Sequence, residues 1–104
     1  MNLDINEVVG DMAEAIKGSL TGDWPDAKRT VKKFLERRQE RLKLIAELLF
    51  DGTLDQETVK PYLENEKELL KMELLGISII SKAMAQNAAN KALEVLGEAL
   101  KAAL

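Results

Sequence analysis

The chain is predicted to be all-α, and three observations carry that expectation. Residues 61–104 contain no proline after Pro61, and their interior glycines are only Gly76 and Gly97. Ala, Leu, Glu and Lys dominate the composition, whereas the whole chain has 6 glycines and 2 prolines, a balance that favours helix. Apolar residues recur at steps of three and four through most of the remainder. At 104 residues the chain is read as a single domain, 1–104. The architecture expected is an antiparallel three-helix bundle with helices at about 4–20, 24–50 and 58–103, completed by dimerisation.

The first helix places Ile5, Val8, Val9, Met12, Ile16 and Leu20 on one stripe and Asp4, Glu7, Asp11 and Glu14 on the other side. Asp4 or Asn6 is the candidate cap, and Gly10 and Gly18 weaken the helix by up to about 1 kcal/mol each. Thr21-Gly22 marks its end. Asp23 then reads as the next N-cap, with Pro25 in the first turn, where its missing N–H costs nothing. The second helix has a heptad-like seam of Trp24, Val31, Leu35, Arg38, Leu42, Ile45 and Leu49, with one charged intruder. Asp51-Gly52 ends it, the glycine suiting a left-handed C′ position. Thr53 with Gln56 forms a capping-box pattern, and Thr58 precedes Pro61 at the start of the third helix. The loop is short, so the second and third helices form a coiled-coil-like antiparallel hairpin.

The third helix poses a problem of phase. Glu64, Lys71, Ser78 and Lys82 make one polar stripe, yet Leu100 falls on the same line and the distal polar side lies at Asn90, Glu94, Glu98 and Lys101. The solvent face therefore swings by roughly 100° near Gln86–Asn90 on a 3.6-residue wheel. A bend or break at 86–90 would explain this, with Asn87 or Asn90 capping a fourth short helix. The absence of glycine or proline there favours a continuous helix whose far end packs on a different side. Leu93, Leu96, Leu100 and Leu104 then need a cover, either the first helix or a second subunit. The second helix is too short to cover the whole third helix, so a homodimer through these leucines is expected.

Composition excludes several chemistries. Cysteine and histidine are both absent, which removes disulfides, thiolate sites, His-ligated metal and the Ser-His-Asp arrangement. The turn at 51–57 loosely follows half an EF-hand loop, but aligning Gly52 puts Leu49 and Thr58 where oxygen-rich ligands belong. Neither cofactor nor metal is expected, and no run of about 18 apolar residues suggests a membrane span. The acidic N-terminus lacks a basic-then-apolar layout, so a cytoplasmic protein is expected.

The strongest local signal is charge. Lys28, Arg29, Lys32, Lys33, Arg37, Arg38, Arg41 and Lys43 oppose only Glu36 and Glu40, a net of +6 within a chain of net −3. Such a patch suits nucleic-acid phosphates or an anionic membrane surface. Internal pairing is favoured instead, because residues 51–73 carry seven acids against three lysines. A hairpin turning near Asp51–Thr53 sets residue i opposite roughly 104 − i, which brings Arg37, Arg38 and Arg41 near Glu64, Glu66 and Glu68. The function expected is a non-enzymatic protein–protein interaction module, a self-associating scaffold or adaptor. The competing expectation is a nucleic-acid-associated regulator using the basic second helix.

Overall fold

The computed structural model describes residues 3–104. Among these, four α-helices follow one another: α1 (Ile5–Leu20), α2 (Trp24–Phe50), α3 (Lys60–Leu75) and α4 (Lys82–Ala103). No strand occurs among the described residues. The all-α, antiparallel architecture is as expected, in a body of 41 × 22 × 20 Å. The long axis matches the roughly 40 Å rise of the 27-residue α2.

The third helix is corrected. The stretch 58–103 is two helices, divided at Gly76–Ser81 rather than at 86–90. Gly76 caps α3. The Ile77, Ile79 and Ile80 that follow lose side-chain freedom in a helix and favour it less than the flanking residues. Ser81, extended at φ −74 and ψ 161, then starts α4 by accepting the Met84 N–H. Ser81 is thus the N-cap of α4. The swing of the polar face disappears once the phase is reset at this turn. Within α4, Ala85, Ala88, Ala89, Ala92, Leu93, Leu96 and Leu100 form one buried stripe that runs straight through 86–90.

The helices close into an up-down-up-down ring, α1 beside α2, α2 beside α3, α3 beside α4, and α4 back against α1. The α1–α4 pairing is the most extensive. Asp4 and Glu7 share a groove with Ala102 and Ala103, and Asp11 shares one with Val95 and Ala99, so the two helices run antiparallel. The same register brings Met12, Ile16 and Leu20 of α1 along the buried alanines of α4. Small residues on one helix admit large ones from the other, a close-packed arrangement that needs no aromatic ring. The first segment is therefore the cover for the distal leucines.

The connections are built from local hydrogen bonds. Asp4 caps α1 by accepting the Asn6 and Glu7 N–H groups. Between α1 and α2 a single 3-10 turn, Thr21–Asp23, replaces the expected Asp23 cap, whose side chain makes no capping bond. Thr21 takes φ 47, a conformation β-branched residues rarely adopt. Gly52 takes φ 86 after α2, as its place at a helix end suggests. In the next turn the expected Thr53/Gln56 box gives way to a reciprocal pair. Asp55 accepts the Glu57 and Thr58 N–H groups at 2.8 Å, and the Thr58 hydroxyl accepts the Asp55 N–H. These bonds hold the Asp55 carboxyl below its ordinary pKa, the Thr58 N–H contributing most.

Candidate interaction surface

Each residue singled out by sequence can now be placed. Leu93, Leu96 and Leu100 are buried inside the chain by its own helices, so they are not an open self-association face. Only Leu104 stays exposed, beside a shallow groove of about 200 Å³ lined by Leu49, Val59, Leu63 and Leu100. No uncovered end of a long helix remains for the expected homodimer to rest on, because the turn at Gly76–Ser81 folds the chain back on itself.

The basic residues divide into three sets. Arg38 is consumed by the hairpin. Its Nε and Nη2 donate to both carboxylate oxygens of Glu66 at 2.8–3.2 Å, and Glu66 is the one buried charged residue among those described. The register of 104 − i holds for this pair. Arg37 and Arg41 are half-engaged. Arg37 bonds to Glu73 at 2.8 Å while staying 60% exposed and lies 6.0 Å from the Phe34 ring centre. Arg41 lies 5.8 Å from the ring centre of Tyr62 rather than pairing with an acid. Lys28, Arg29, Lys32, Lys33 and Lys43 are exposed, with no ion pair among the described residues.

Beside this helix lies a feature that the sequence reading missed. Tyr62, Leu69 and Met72 of α3 and Leu44 of α2 are exposed, Met72 at 66%. Tyr62 and Leu69 stand seven residues apart and Met72 three further on, so they form one row on α3. The row lies on the α2 side of the helix, because Glu66 and Glu73, which reach α2, fall within about 40° of Tyr62 on the wheel. Arg41 is level with Tyr62, and Leu44 stands one helical turn further on, opposite Lys60 in the register of the Arg38–Glu66 pair. Asn65 occupies the remaining position of the row. The buried row of the same helix is Glu66, Leu70 and Leu74. Two apolar rows roughly 110° apart blur the apolar side of α3, which hides the outer one. The 62–69–72 spacing was the available signal.

Among the described residues no group of three Asp, Glu, His or Cys side chains is placed to hold a metal ion. Nor is any helix long and apolar enough to cross a membrane. The chain matches no family model, no curated protein and no solved structure.

Proposed function

We propose that the protein is a non-enzymatic helical interaction module, an adaptor or self-associating scaffold that docks a partner on the outer side of α2 and α3. One observation carries this reading. Tyr62, Leu69, Met72 and Leu44 stand exposed in contiguous rows, while most other large apolar side chains are buried or half-buried. Exposed apolar residues scattered singly are ordinary, whereas a contiguous patch marks an interaction site. Histidine and cysteine, two common sources of nucleophile and base, are absent from the whole chain.

Capture from the native host tests the reading, with a Leu69→Ser/Met72→Ser variant as control. Both side chains are exposed, Leu69 at 37% and Met72 at 66%. Proteins captured by the natural chain and lost with the variant support the α2–α3 face, whereas identical captures would sink it. Light scattering on the same two proteins separates a second copy from a foreign partner.

A nucleic-acid reading retains one favourable observation, the exposed and unpaired run of Lys28, Arg29, Lys32 and Lys33. Binding of labelled DNA or RNA at micromolar concentration that falls steeply with added salt would favour it.

A further inference from the structure

The up-down-up-down ring puts two connections, Thr21–Asp23 and Gly76–Ser81, at one end of the bundle. The α2–α3 turn, the start of α1 and the end of α4 lie at the other. Charge divides between these ends. Around the two short connections, residues 16–29 and 71–86 hold five Lys and Arg against three Asp and Glu, a net of +2. One of those acids, Glu73, is already bonded to Arg37. At the far end, residues 4–8, 46–64 and 99–104 hold seven acids against two lysines, a net of −5. The long axis of 41 Å exceeds the screening length of about 10 Å several-fold, so each end meets its surroundings with its own sign. Both ends also carry apolar surface. Ile79 stands 48% exposed in the Gly76–Ser81 turn, with Trp24 and Ile77 half-buried at the same end. The acidic end holds the groove of about 200 Å³ between Leu49, Val59, Leu63 and Leu100.

We infer that these two ends dock on one another, so that copies of the chain associate head to tail. Ile79 of one copy enters the groove at the far end of the next. Lys17, Lys28, Arg29, Lys71 and Lys82 then meet Glu47, Asp51, Asp55 and Glu57. Each end holds some charge of the other sign, which the majority outweighs. Asp23 and Asp26 stand among the cations, and Lys60 and Lys101 beside the groove, where Lys60 is bonded to Glu57 at 3.1 Å. Two different surfaces make the contact, so it does not close on itself and builds an open row of copies. The inference goes beyond docking on the α2–α3 face and leaves that face free, so a row would present it once per copy.

Other occupants of the basic end match less of what is there. Nucleic acid meets the cations but offers its phosphates no apolar contact for Ile79. An anionic membrane takes both cations and isoleucine, yet leaves the acidic end and its groove without a role. A second copy supplies acids and an apolar groove together. The bundle is 22 × 20 Å across, so an end-to-end contact covers at most about 400 Å² of each copy, half the usual share of a stable interface. The association is therefore weak and depends on concentration and salt.

The test uses light scattering of the full chain at low salt, from micromolar to millimolar concentration, with one variant for each end. Ile79→Ser/Lys82→Glu changes the basic end and Glu47→Lys/Glu57→Lys the acidic end, all four on exposed side chains, and thermal unfolding checks that each variant is folded. The natural chain is expected to gain mass beyond a pair as concentration rises and to lose it on added salt. Each variant alone should associate at least tenfold more weakly. An equal mixture of the two should form pairs and nothing larger, because one intact basic end and one intact acidic end remain. A natural chain that stays monomeric, growth that stops at a pair, or a mixture that stays monomeric overturns the inference. Association unchanged by both variants but lost in Leu69→Ser/Met72→Ser overturns it too, while leaving the α2–α3 docking face standing. Binding to vesicles of phosphatidylcholine with phosphatidylglycerol, lost in Ile79→Ser/Lys82→Glu and without self-association, overturns it in favour of a lipid surface.

Discussion

Arg38 and Glu66 form a bidentate ion pair across the α2–α3 hairpin, with the carboxylate buried and the guanidinium side chain 29% exposed. The asymmetry of exposure predicts an asymmetry of mutational cost. Arg38→Met strands a buried carboxylate and should destabilise by about 2–4 kcal/mol. Glu66→Gln leaves an arginine that still reaches water and should cost less, about 1–2 kcal/mol. The double change Arg38→Met/Glu66→Leu should recover most of the loss, since apolar replacements of buried pairs are often neutral. Urea midpoints of the natural chain, Arg38→Met, Glu66→Leu and the double variant complete the cycle, and additive losses in the double variant would contradict this account.

The turn at Gly76–Ser81 depends on a cap. Ser81→Ala removes the acceptor for the Met84 N–H and should lower stability by about 1 kcal/mol. Ser78→Ala, in the same exposed turn but without a capping bond, should change stability by less than about 0.5 kcal/mol. Equal effects in thermal unfolding would argue against a helix start at Ser81.

One kind of substitution should act with opposite signs at two places. Gly52→Ala forces a side chain into φ 86 and should cost about 1–2 kcal/mol. Gly10→Ala, in the exposed side of α1 with nothing near the added methyl, should gain about 0.5–1 kcal/mol. Denaturant midpoints moving in the same direction would contradict the backbone assignment at one of them.

Stability should fall on the acid side without a transition near neutrality. Bonds from the Thr53 hydroxyl and N–H hold Asp51 below its ordinary pKa, and those from Thr58 and Glu57 do the same for Asp55. A carboxylate depressed in the folded state contributes stability above its unfolded pKa, about 3.9. That contribution is lost as pH falls through the lower folded value. With no histidine in the chain, the unfolding midpoint should be nearly level between about pH 5 and 8. Asp55→Asn should flatten part of the acid-side fall, and an unchanged slope would argue against its capping role.

Periodicity made much of the fold legible. The apolar stripe of α1, the seam of α2, the Gly52 turn and the Arg38–Glu66 pairing all follow from spacing or charge within one hairpin. The division of the long segment was harder to read. Gly76 alone does not end a helix, and extrapolating phase past it turned a real break at 76–81 into an apparent twist at 86–90. The buried state of Leu93, Leu96 and Leu100 depends on α1 returning against α4, a contact across some 85 residues that no local pattern encodes. The exposed row was obscured by its buried neighbours Leu70 and Leu74, because only packing decides which of two adjacent apolar rows faces the core.

The absence of cysteine gives a clean background for the most direct measurement, thiol labelling of single-cysteine variants of the natively folded chain. Met72→Cys, at 66% exposure on the α2–α3 face, should react at a rate close to that of a free thiol, and Leu69→Cys, at 37%, somewhat more slowly. Leu96→Cys, at 1% exposure between α4 and its neighbours, should react far more slowly, limited by opening of the bundle. Rapid labelling at position 96, or protection at positions 69 and 72 in the isolated monomer, would contradict a bundle that closes its own core and leaves that face for a partner.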